Sequence, residues 1–468
     1  MTTVADDRAR ALTRASADAA ALAGAGGPAC VTVRCHRRAA AAATRTGSGP
    51  VDLRRITDHT RQNTTAFALV PGADGGPYGV RHAAVDGYGT DAVREVVSRA
   101  VDGDRLGAPA GPDLPLAVPP AGERDAADLV EAILRRLPGV AGYEVIAEAH
   151  TVVEERLFVP ARGLAVRETL RTAAVVVDVL GAGRRIADAD AGWSGEVPEG
   201  LDSLAERVEA AVRRAGARPR TVAPRVQLLL VDGSAGAFLH EVCGHLLEST
   251  GHRPSLLAQD GGRPVAFDGL GVDDDPTRAL SFGAHRYTML GEPTRRRPLL
   301  TAGRLTGLLA DTPDGPWRTE DARYAPQPRM SHLALAPAPA PTALDTALGE
   351  TTAPVIRVHR LGFGSLDHRD GTVVLEVKDA TYRDGTAEHR LEPFVVTAEA
   401  RQLLLEVRAL GCAATVRPWS AYCLATSGSL PVGATTPTLL TGVVTTHPHR
   451  RLAPPRAAVA RTAPGPGA

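Results

Sequence analysis

The sequence lacks the features that mark several broad classes of protein. Lys and Arg together number 53, as do Asp and Glu, so no net charge attracts nucleic acid or an acidic membrane. Aromatic residues make up only 4% of the chain, which leaves few platforms for stacking on nucleic-acid bases. No apolar run approaches the ~18 residues of a membrane-spanning helix. We therefore expect neither nucleic acid nor a membrane among the partners.

Cysteine is scarce as well. The five cysteines are irregularly spaced, and an odd number in so long a chain argues against a disulfide framework. The first residues contain no apolar stretch after their charges, unlike a secretory signal. These observations favour a cytoplasmic protein. The length of 468 residues predicts two or three domains.

The hydrophobic pattern predicts an α+β protein that divides near residue 220. Residues 1–220 are predicted to form an α/β domain, 221–450 a β-rich domain of mostly short strands, and 451–468 a disordered tail. Predicted helices cover 6–26, a segment after Thr90, a segment with Leu129, Ile133 and Leu137 on one face that Pro138 ends, and 201–212. Predicted strands include 172–180, 226–232, 372–377, 393–397 and 439–445, and Pro-rich loops are expected at 106–122 and 335–343.

Two histidines flank a glutamate in the segment His240-Glu241-Val242-Cys243-Gly244-His245. Neutral imidazole is a strong zinc ligand, and a nearby carboxylate can accept a proton from a water that the metal activates. Because the histidines are at i and i+5, an ideal α-helix would place them about 140° apart. An i→i+5 bulge would return both to one face, and such bulges occur at functional sites. We predict a bulge or a helix break at Gly244, where glycine permits the distortion.

The context of this motif favours a metal site over two unrelated histidines beside a chance glutamate. The motif follows an apolar strand at 226–232 and a Gly-rich turn at 233–236, an arrangement that often delivers residues into a site. Glu248 lies three residues after His245 on the same predicted helix face. It can orient a histidine or ligate the metal itself. A surface glutamate is the alternative interpretation.

The motif and several further segments resemble the TldD/PmbA family of metallopeptidases. The central match is Leu239-His240-Glu241-x-x-Gly244-His245-x-x-Glu248 after Gly-Ser-Ala-Gly. The other similar segments are 78–81, 86–87, 272–275, 300–311, 329–332, 371–375, 423, 429–433 and 437–439. The resemblance thus extends over roughly residues 10–445.

The resemblance implies a zinc ion held by His240, His245 and a C-terminal cysteine, a position that Cys423 occupies. Two histidines and a thiolate leave a fourth coordination position open, as catalytic zinc requires. Cys412, which is near Cys423 in sequence, is the alternative candidate for the third ligand, and Cys243 lies within the motif. For both of these cysteines a small apolar filler is the preferred interpretation.

The implied activity is hydrolysis of amide bonds in an unfolded or modified peptide, with Glu241 as general base and then general acid. The resemblance also implies a C-terminal domain of strongly curved sheet that carries the metal helix. It further implies a heterodimer with a TldE/PmbA-like partner subunit that lacks the motif. One alternative is an amidase that tailors a peptide-like natural product. Another is a non-catalytic scaffold subunit, which predicts loss of the motif residues.

The group that would stabilise an oxyanion is not named by any motif. Arg329 and His332 are weak candidates for binding the substrate, since a lone histidine is more often structural than catalytic. His332 stands where the family has asparagine, and Leu424 stands where the family has glycine after the cysteine. These departures concern the identity of the substrate more than the binding of a metal.

Overall fold

The structure, a computed structural model, describes residues 29–70, 79–86, 95, 126–140, 142–161, 165–195, 200–321 and 323–449. The helix predicted at 6–26, the helix after Thr90, the Pro-rich segment at 106–122 and the tail at 451–468 lie outside the described residues.

The N-terminal strands form one antiparallel sheet. Their bounds are Ala29–Thr46 (β1), Val51–Val70 (β2), Gly79–Asp86 (β3), Glu144–Pro160 (β4), Val166–Gly181 (β5) and Arg184–Ser194 (β6). The order across the sheet is β3-β2-β1-β4-β5-β6. The strand predicted at 172–180 is confirmed as part of β5.

Two helices cover one face of this sheet, α1 (Ala126–Arg135) and α2 (Gly200–Ala215). Leu129 and Ile133 on α1 and Leu204 and Val208 on α2 are buried in one core with the sheet. Their apolar spacing predicted these faces. A separate 3-10 helix, Pro138–Val140, begins at the proline, so the predicted end of α1 before it is confirmed.

The C-terminal part begins at β7 and consists mainly of strands. Its strands are Arg225–Leu230 (β7), Glu248–Ser249 (β8), Val272–Asp274 (β9), Arg297–Thr301 (β10), Arg304–Leu305 (β11), Leu309–Ala310 (β12), Trp317–Arg318 (β13), Gln327–Pro328 (β14), His332–Leu335 (β15), Val355–Leu366 (β16), Thr372–Asp384 (β17), Ala387–Arg390 (β18), Phe394–Glu399 (β19), Ala409–Leu410 (β20), Arg417–Ala425 (β21), Gly428–Thr436 (β22) and Leu439–Pro448 (β23). Its helices are α3 (Ser234–Phe238), a π-helix (Leu239–Gly244), α4 (His245–Leu247), α5 (Ala343–Gly349), α6 (Ala400–Leu405) and the 3-10 turn Ala413–Thr415.

One of the C-terminal sheets closes on itself. Strands β16, β7, β23, β19 and β17 pair in that order, and β17 pairs back to β16, with β18 and β20 at the margin. The second sheet has the order β11-β10-β9-β15-β22-β21. A single apolar core joins both sheets to the helical segment around Phe238 and Val242. The predicted α+β class and the curved sheet that carries the motif helix are therefore confirmed.

Strands β21 and β22 of the second sheet are among those that were not predicted. Strands β21 and β22 contain Pro418 and Pro431, and proline inside an apolar run argues against an inner strand. The pairing explains the exception, because β15 joins β22 only from Gly433 onward, beyond Pro431. Cys423 therefore lies on a strand.

The N-terminal sheet contacts the C-terminal sheets through charged and polar groups. Arg360 on β16 pairs with Asp188 at 2.8 Å and with Asp190 at 2.6 Å, both on β6. The Gly192 amide donates to Ser420 Oγ on β21 (2.7 Å). The division predicted near residue 220 lies between α2 and β7. Among the helices of the described ranges, none is both long and apolar enough to cross a membrane.

Candidate metal centre

A tight turn delivers the chain from β7 into the motif helix. Asp232 and Gly233 both have positive φ, 55° and 90°, a conformation that favours glycine. A Cβ at Gly233 would lie 2.7 Å from the Pro418 carbonyl oxygen. Ser234 Oγ donates to the Val358 carbonyl at 2.8 Å and fixes the helix start against β16.

The helix contains the distortion that the histidine spacing predicted. Residues Leu239–Gly244 form a π-helix between the α-helical segments. The rings of His240 and His245 consequently face the same space, with centroids 4.8 Å apart in an edge-to-face arrangement. The predicted bulge is confirmed.

The reason given for Gly244 was wrong. Its φ and ψ are −57° and −55°, which any residue adopts. A Cβ at this position would lie 2.5 Å from Met330 Sδ and 3.0 Å from a Leu333 methyl group. Glycine is therefore favoured by close packing, because a side chain here would displace the ends of the Met330 and Leu333 side chains, and not by backbone strain.

The long-range fold brings Cys423 to the two histidines. The ligand atoms of His240, His245 and Cys423 all lie within 4.8 Å of one another. Cys423 Sγ lies 3.4 Å from His245 Nε2, which matches the donor separation of roughly 3.3–3.6 Å that tetrahedral zinc bonds of about 2.0–2.3 Å imply. Imidazole and thiolate donors together suit zinc. The three residues thus fit a metal ion.

The surroundings of Cys423 favour its thiolate. Burial opposes ionisation, but His240 and Arg329 lower the pKa of Cys423 well below its usual value. Arg329 Nη2 donates to Cys423 Sγ at 2.7 Å. A thiolate is the form of cysteine that ligates metals, so the site favours this form before a metal arrives.

Glu248 lies behind His245 and does not belong to the ligand cluster. Its Oε2 is 3.3 Å from His245 Nδ1, and its Oε1 accepts from Arg329 Nε at 2.8 Å. Burial opposes its ionisation, yet Arg329 and His245 hold the pKa of Glu248 below its usual range. Although burial also opposes protonation of His245, Glu248 and Cys423 raise the pKa of that imidazole to about 10. A carboxylate on the outer nitrogen fixes the orientation of a ligating histidine.

Arg329 occupies a different position from the one its weak assignment to substrate binding suggested. The side chain is buried, and its three nitrogens contact Glu248, Cys423 and Ser427 Oγ, the last at 3.3 Å. Through these bonds the guanidinium holds Glu248 and Cys423 in place at the metal cluster. Its contacts favour a role in positioning the ligands, and its predicted part in substrate binding stays a prediction.

His332 likewise has a structural environment. Its Nδ1 lies 2.6 Å from Ser281 Oγ and its Nε2 lies 2.7 Å from Thr435 Oγ1. Both ring nitrogens are thereby engaged, and burial lowers the pKa of the imidazole to about 4. These contacts favour a structural role for His332, and its predicted part in substrate binding stays a prediction.

Glu241 faces the space between the two histidines. Its carboxylate oxygens lie 3.9 Å from His240 Nε2 and 3.9 Å from His245 Nε2. The side chain remains partly accessible, with 17% of its surface exposed. It rests against Gly364 of β16, where a Cβ would lie 2.4 Å from Glu241 Cγ. The pairing of β16 with β17 is irregular between Leu361 and Gly364, and such bulges are common next to active sites.

Two aromatic-ring neighbours of the cluster could not be found from the sequence. Trp419 of β21 packs on the His240 ring with centroids 5.2 Å apart. The His368 ring lies edge-on to His245 at 6.3 Å. Neither residue belongs to a motif, and both reach the site through pairings distant in sequence. Cys243 is buried in the apolar core, which confirms its interpretation as a filler.

The segment that holds this cluster matches a known family. Residues 224–446 match the family described as the PmbA/TldA metallopeptidase C-terminal domain. Residues 224–446 therefore form a C-terminal domain of the PmbA/TldD family. All four residues His240, Glu241, His245 and Cys423 lie within the matched residues. The family's description as a metallopeptidase implies a metal, and the cluster of His240, His245 and Cys423 could hold one.

Three solved structures share the overall fold of this chain. TldE from Thermococcus kodakarensis is 15% identical with a TM-score of 0.63, and the match covers 89% of this chain and 96% of TldE. A protein of Thermotoga maritima described as a modulator of a DNA gyrase is 13% identical, with a TM-score of 0.63 and coverage of 91% and 98%. A protein of Bacteroides thetaiotaomicron described as a modulator of DNA gyrase is 14% identical, with a TM-score of 0.62 and coverage of 93% and 98%. At these identities the likeness shows the fold alone. Among curated proteins, none matches this chain in sequence.

Proposed function

We propose that this chain is a zinc-dependent hydrolase of amide bonds that acts on unfolded or modified peptides. The observation that carries the proposal is the convergence of Cys423 with three groups of the segment 240–245, from which it is distant in sequence. Two imidazoles and a thiolate lie within 4.8 Å of one another, and the Glu241 carboxylate stands 3.9 Å from both imidazoles. This is the set that a metal-assisted hydrolase requires.

The protein groups have distinct parts in this proposal. His240, His245 and Cys423 would hold the ion, which when bound supplies Lewis acidity toward a water and a substrate carbonyl. Glu241 would accept the proton of the attacking water and deliver it to the leaving amine. Its partial exposure suits this role, because a proton acceptor must reach both the water and the substrate.

The pairing of the charges behind the ligands also supports the proposal. Glu248 and Arg329 form a buried ion pair at 2.8 Å, so each compensates the other. Glu248 also contacts the outer nitrogen of His245 and can orient this ligand. The scaffold alternative would require the loss of at least one of the four groups, and the sequence retains them all.

The decisive experiment compares metal content and peptidase activity in the wild type, Cys423→Ala and Glu241→Gln. We expect about one zinc per wild-type chain, much less in Cys423→Ala, and full zinc with activity lost by roughly 100-fold or more in Glu241→Gln. Elemental analysis and hydrolysis of an unstructured fluorogenic peptide measure these quantities. A wild type without zinc after reconstitution would sink the proposal. Glu241→Gln with undiminished activity would remove the general base from it.

We further propose that the chain works as the metal-bearing subunit beside a partner of the same fold that lacks the motif. The resemblance of the whole chain to the TldD/PmbA family supports this assembly. A tailoring amidase would use the same four groups, so the choice between general peptide processing and tailoring depends on the substrate pocket.

A further inference from the structure

The hairpin that carries Cys423 is held at its turn as well as along its strands. Strands β21 and β22 meet in a short turn that includes Ser427 and Gly428. Arg329 contacts both Cys423 Sγ and Ser427 Oγ, at 2.7 Å and 3.3 Å. The position of the turn is thus linked to the position of the sulfur by one buried guanidinium.

Glu320 contacts this turn through hydrogen bonds of its own. Its backbone amide donates to the Ser427 carbonyl at 2.9 Å. Its Oε2 accepts from the Ser429 amide at 2.8 Å. Gly428, with φ of 92°, lies so close that a Cβ there would be 2.5 Å from Glu320 Cβ. The turn therefore fits tightly against this one residue.

The N-terminal sheet in turn holds Glu320. Arg38 Nη1 on β1 donates to Glu320 Oε1 at 2.9 Å, so the carboxylate joins the sheet to the turn. Arg34 Nη2, also on β1, donates to the Glu320 carbonyl at 2.8 Å. Arg34 is itself fully buried and paired with Glu154 of β4 at 2.5 Å. The Glu320 backbone is consequently anchored to the rigid centre of that sheet.

We propose that Glu320 is a positioning residue that transmits the placement of the N-terminal sheet to Cys423 and thereby sets the metal affinity. The inference rests on the proposed metal centre. The Arg38–Glu320 pair is partly exposed, with side chains 30% and 15% accessible, so its Coulomb energy is small. Its effect is geometric, because the same carboxylate orients the turn. Coupling of this kind is reciprocal, so a bound metal must also tighten the contact between β1 and the turn.

The test uses Glu320→Ala and Arg38→Ala in the full chain. The matched control is Arg185→Ala, which removes an Arg–Asp178 pair of 2.9 Å that lies within the N-terminal sheet. Zinc affinity is measured by competition with a chromophoric chelator. In the metal-free proteins, the rate at which iodoacetamide alkylates Cys423 is followed by mass spectrometry, with buried Cys30 as the internal standard. Partners that orient metal ligands typically contribute roughly 10–100-fold to affinity.

We expect zinc affinity to fall about 10-fold in Glu320→Ala and less in Arg38→Ala, with Arg185→Ala unchanged. We also expect Cys423 to be alkylated several-fold faster in the first two variants while Cys30 is unaffected. Lowered thermal stability with unchanged zinc affinity and unchanged Cys423 alkylation would overturn the inference. If Glu320→Ala does not fold, Arg38→Ala decides alone. A wild type that binds no zinc defeats the proposed function, whereas the alkylation rates still decide whether Glu320 positions Cys423.

Discussion

Replacing Gly236 with alanine tests whether close packing between the motif helix and β21 sets the geometry of the ligands. A Cβ at Gly236 would lie 2.4 Å from Trp419 Cβ and 2.9 Å from Trp419 Cγ. Ordinary carbon–carbon contacts are about 3.5–4.0 Å. The atoms met are next to the backbone of β21, so no side-chain rotation relieves the clash. The helix and the strand must therefore separate by roughly 1 Å.

The size of the effect follows from two opposing contributions. Alanine favours a helix over glycine by about 1 kcal/mol. Overpacking of a tight core costs about 1–3 kcal/mol. Because the Cβ would lie roughly 1 Å too close to atoms of Trp419 that can hardly move, we expect a cost at the upper end of this range. We expect a net loss of roughly 2 kcal/mol in the free energy of unfolding. The helix carries His240 four residues later, and β21 carries Cys423 four residues after Trp419. The separation therefore also weakens metal binding.

Thermal unfolding and zinc competition, each on the purified full chain, measure the two effects. Gly349→Ala is the matched control, because Gly349 ends helix α5 and a Cβ there meets nothing within 4 Å. We expect the control to be as stable as the wild type or slightly more stable. Gly236→Ala that unfolds no earlier than wild type and binds zinc equally well would refute the packing argument.

Two further predictions concern a buried carboxyl group and the assembly. Burial raises the pKa of Asp274 to about 6, above the unfolded value of about 3.9. The folded state therefore binds the proton more tightly, and stability falls by up to about 3 kcal/mol as pH rises from 4 to 6. Asp274→Asn should abolish that fall in thermal scans across this range, and an identical pH dependence would contradict the assignment. For the assembly, co-expression with a family member lacking the motif should give a heterodimer by light scattering, whereas a stable homodimer that excludes that protein would contradict the proposed partner.

The spacing of the two histidines could be interpreted from the sequence because it is a local property. Helix geometry fixes the angle between positions i and i+5. The bulge at Leu239–Gly244 could therefore be predicted from the spacing of the two histidines alone. The amphipathic helices α1 and α2 were predictable for the same reason. The apolar spacing on each is visible without knowledge of what it packs against.

The roles of Arg329 and His332 could not be predicted in the same way. Their partners lie at Glu248, Cys423, Ser281 and Thr435, up to about a hundred residues away in sequence. A charged or titratable residue in a matched segment suggests contact with the substrate, whereas burial with every side-chain nitrogen bonded to protein groups favours a structural role. Only the long-range pairing of β15, β21 and β22 reveals this difference.

The charges around the ligand cluster compensate one another. A buried thiolate or carboxylate without a partner costs several kcal/mol. Here Arg329 lies between Cys423 and Glu248, and Glu248 contacts the outer nitrogen of His245. The charges therefore compensate in pairs. Small zinc domains depend on their metal for folding energy, whereas this cluster packs against a large apolar core and a compensated ion pair. We therefore expect the substitution of one ligand to reduce metal binding while the fold persists.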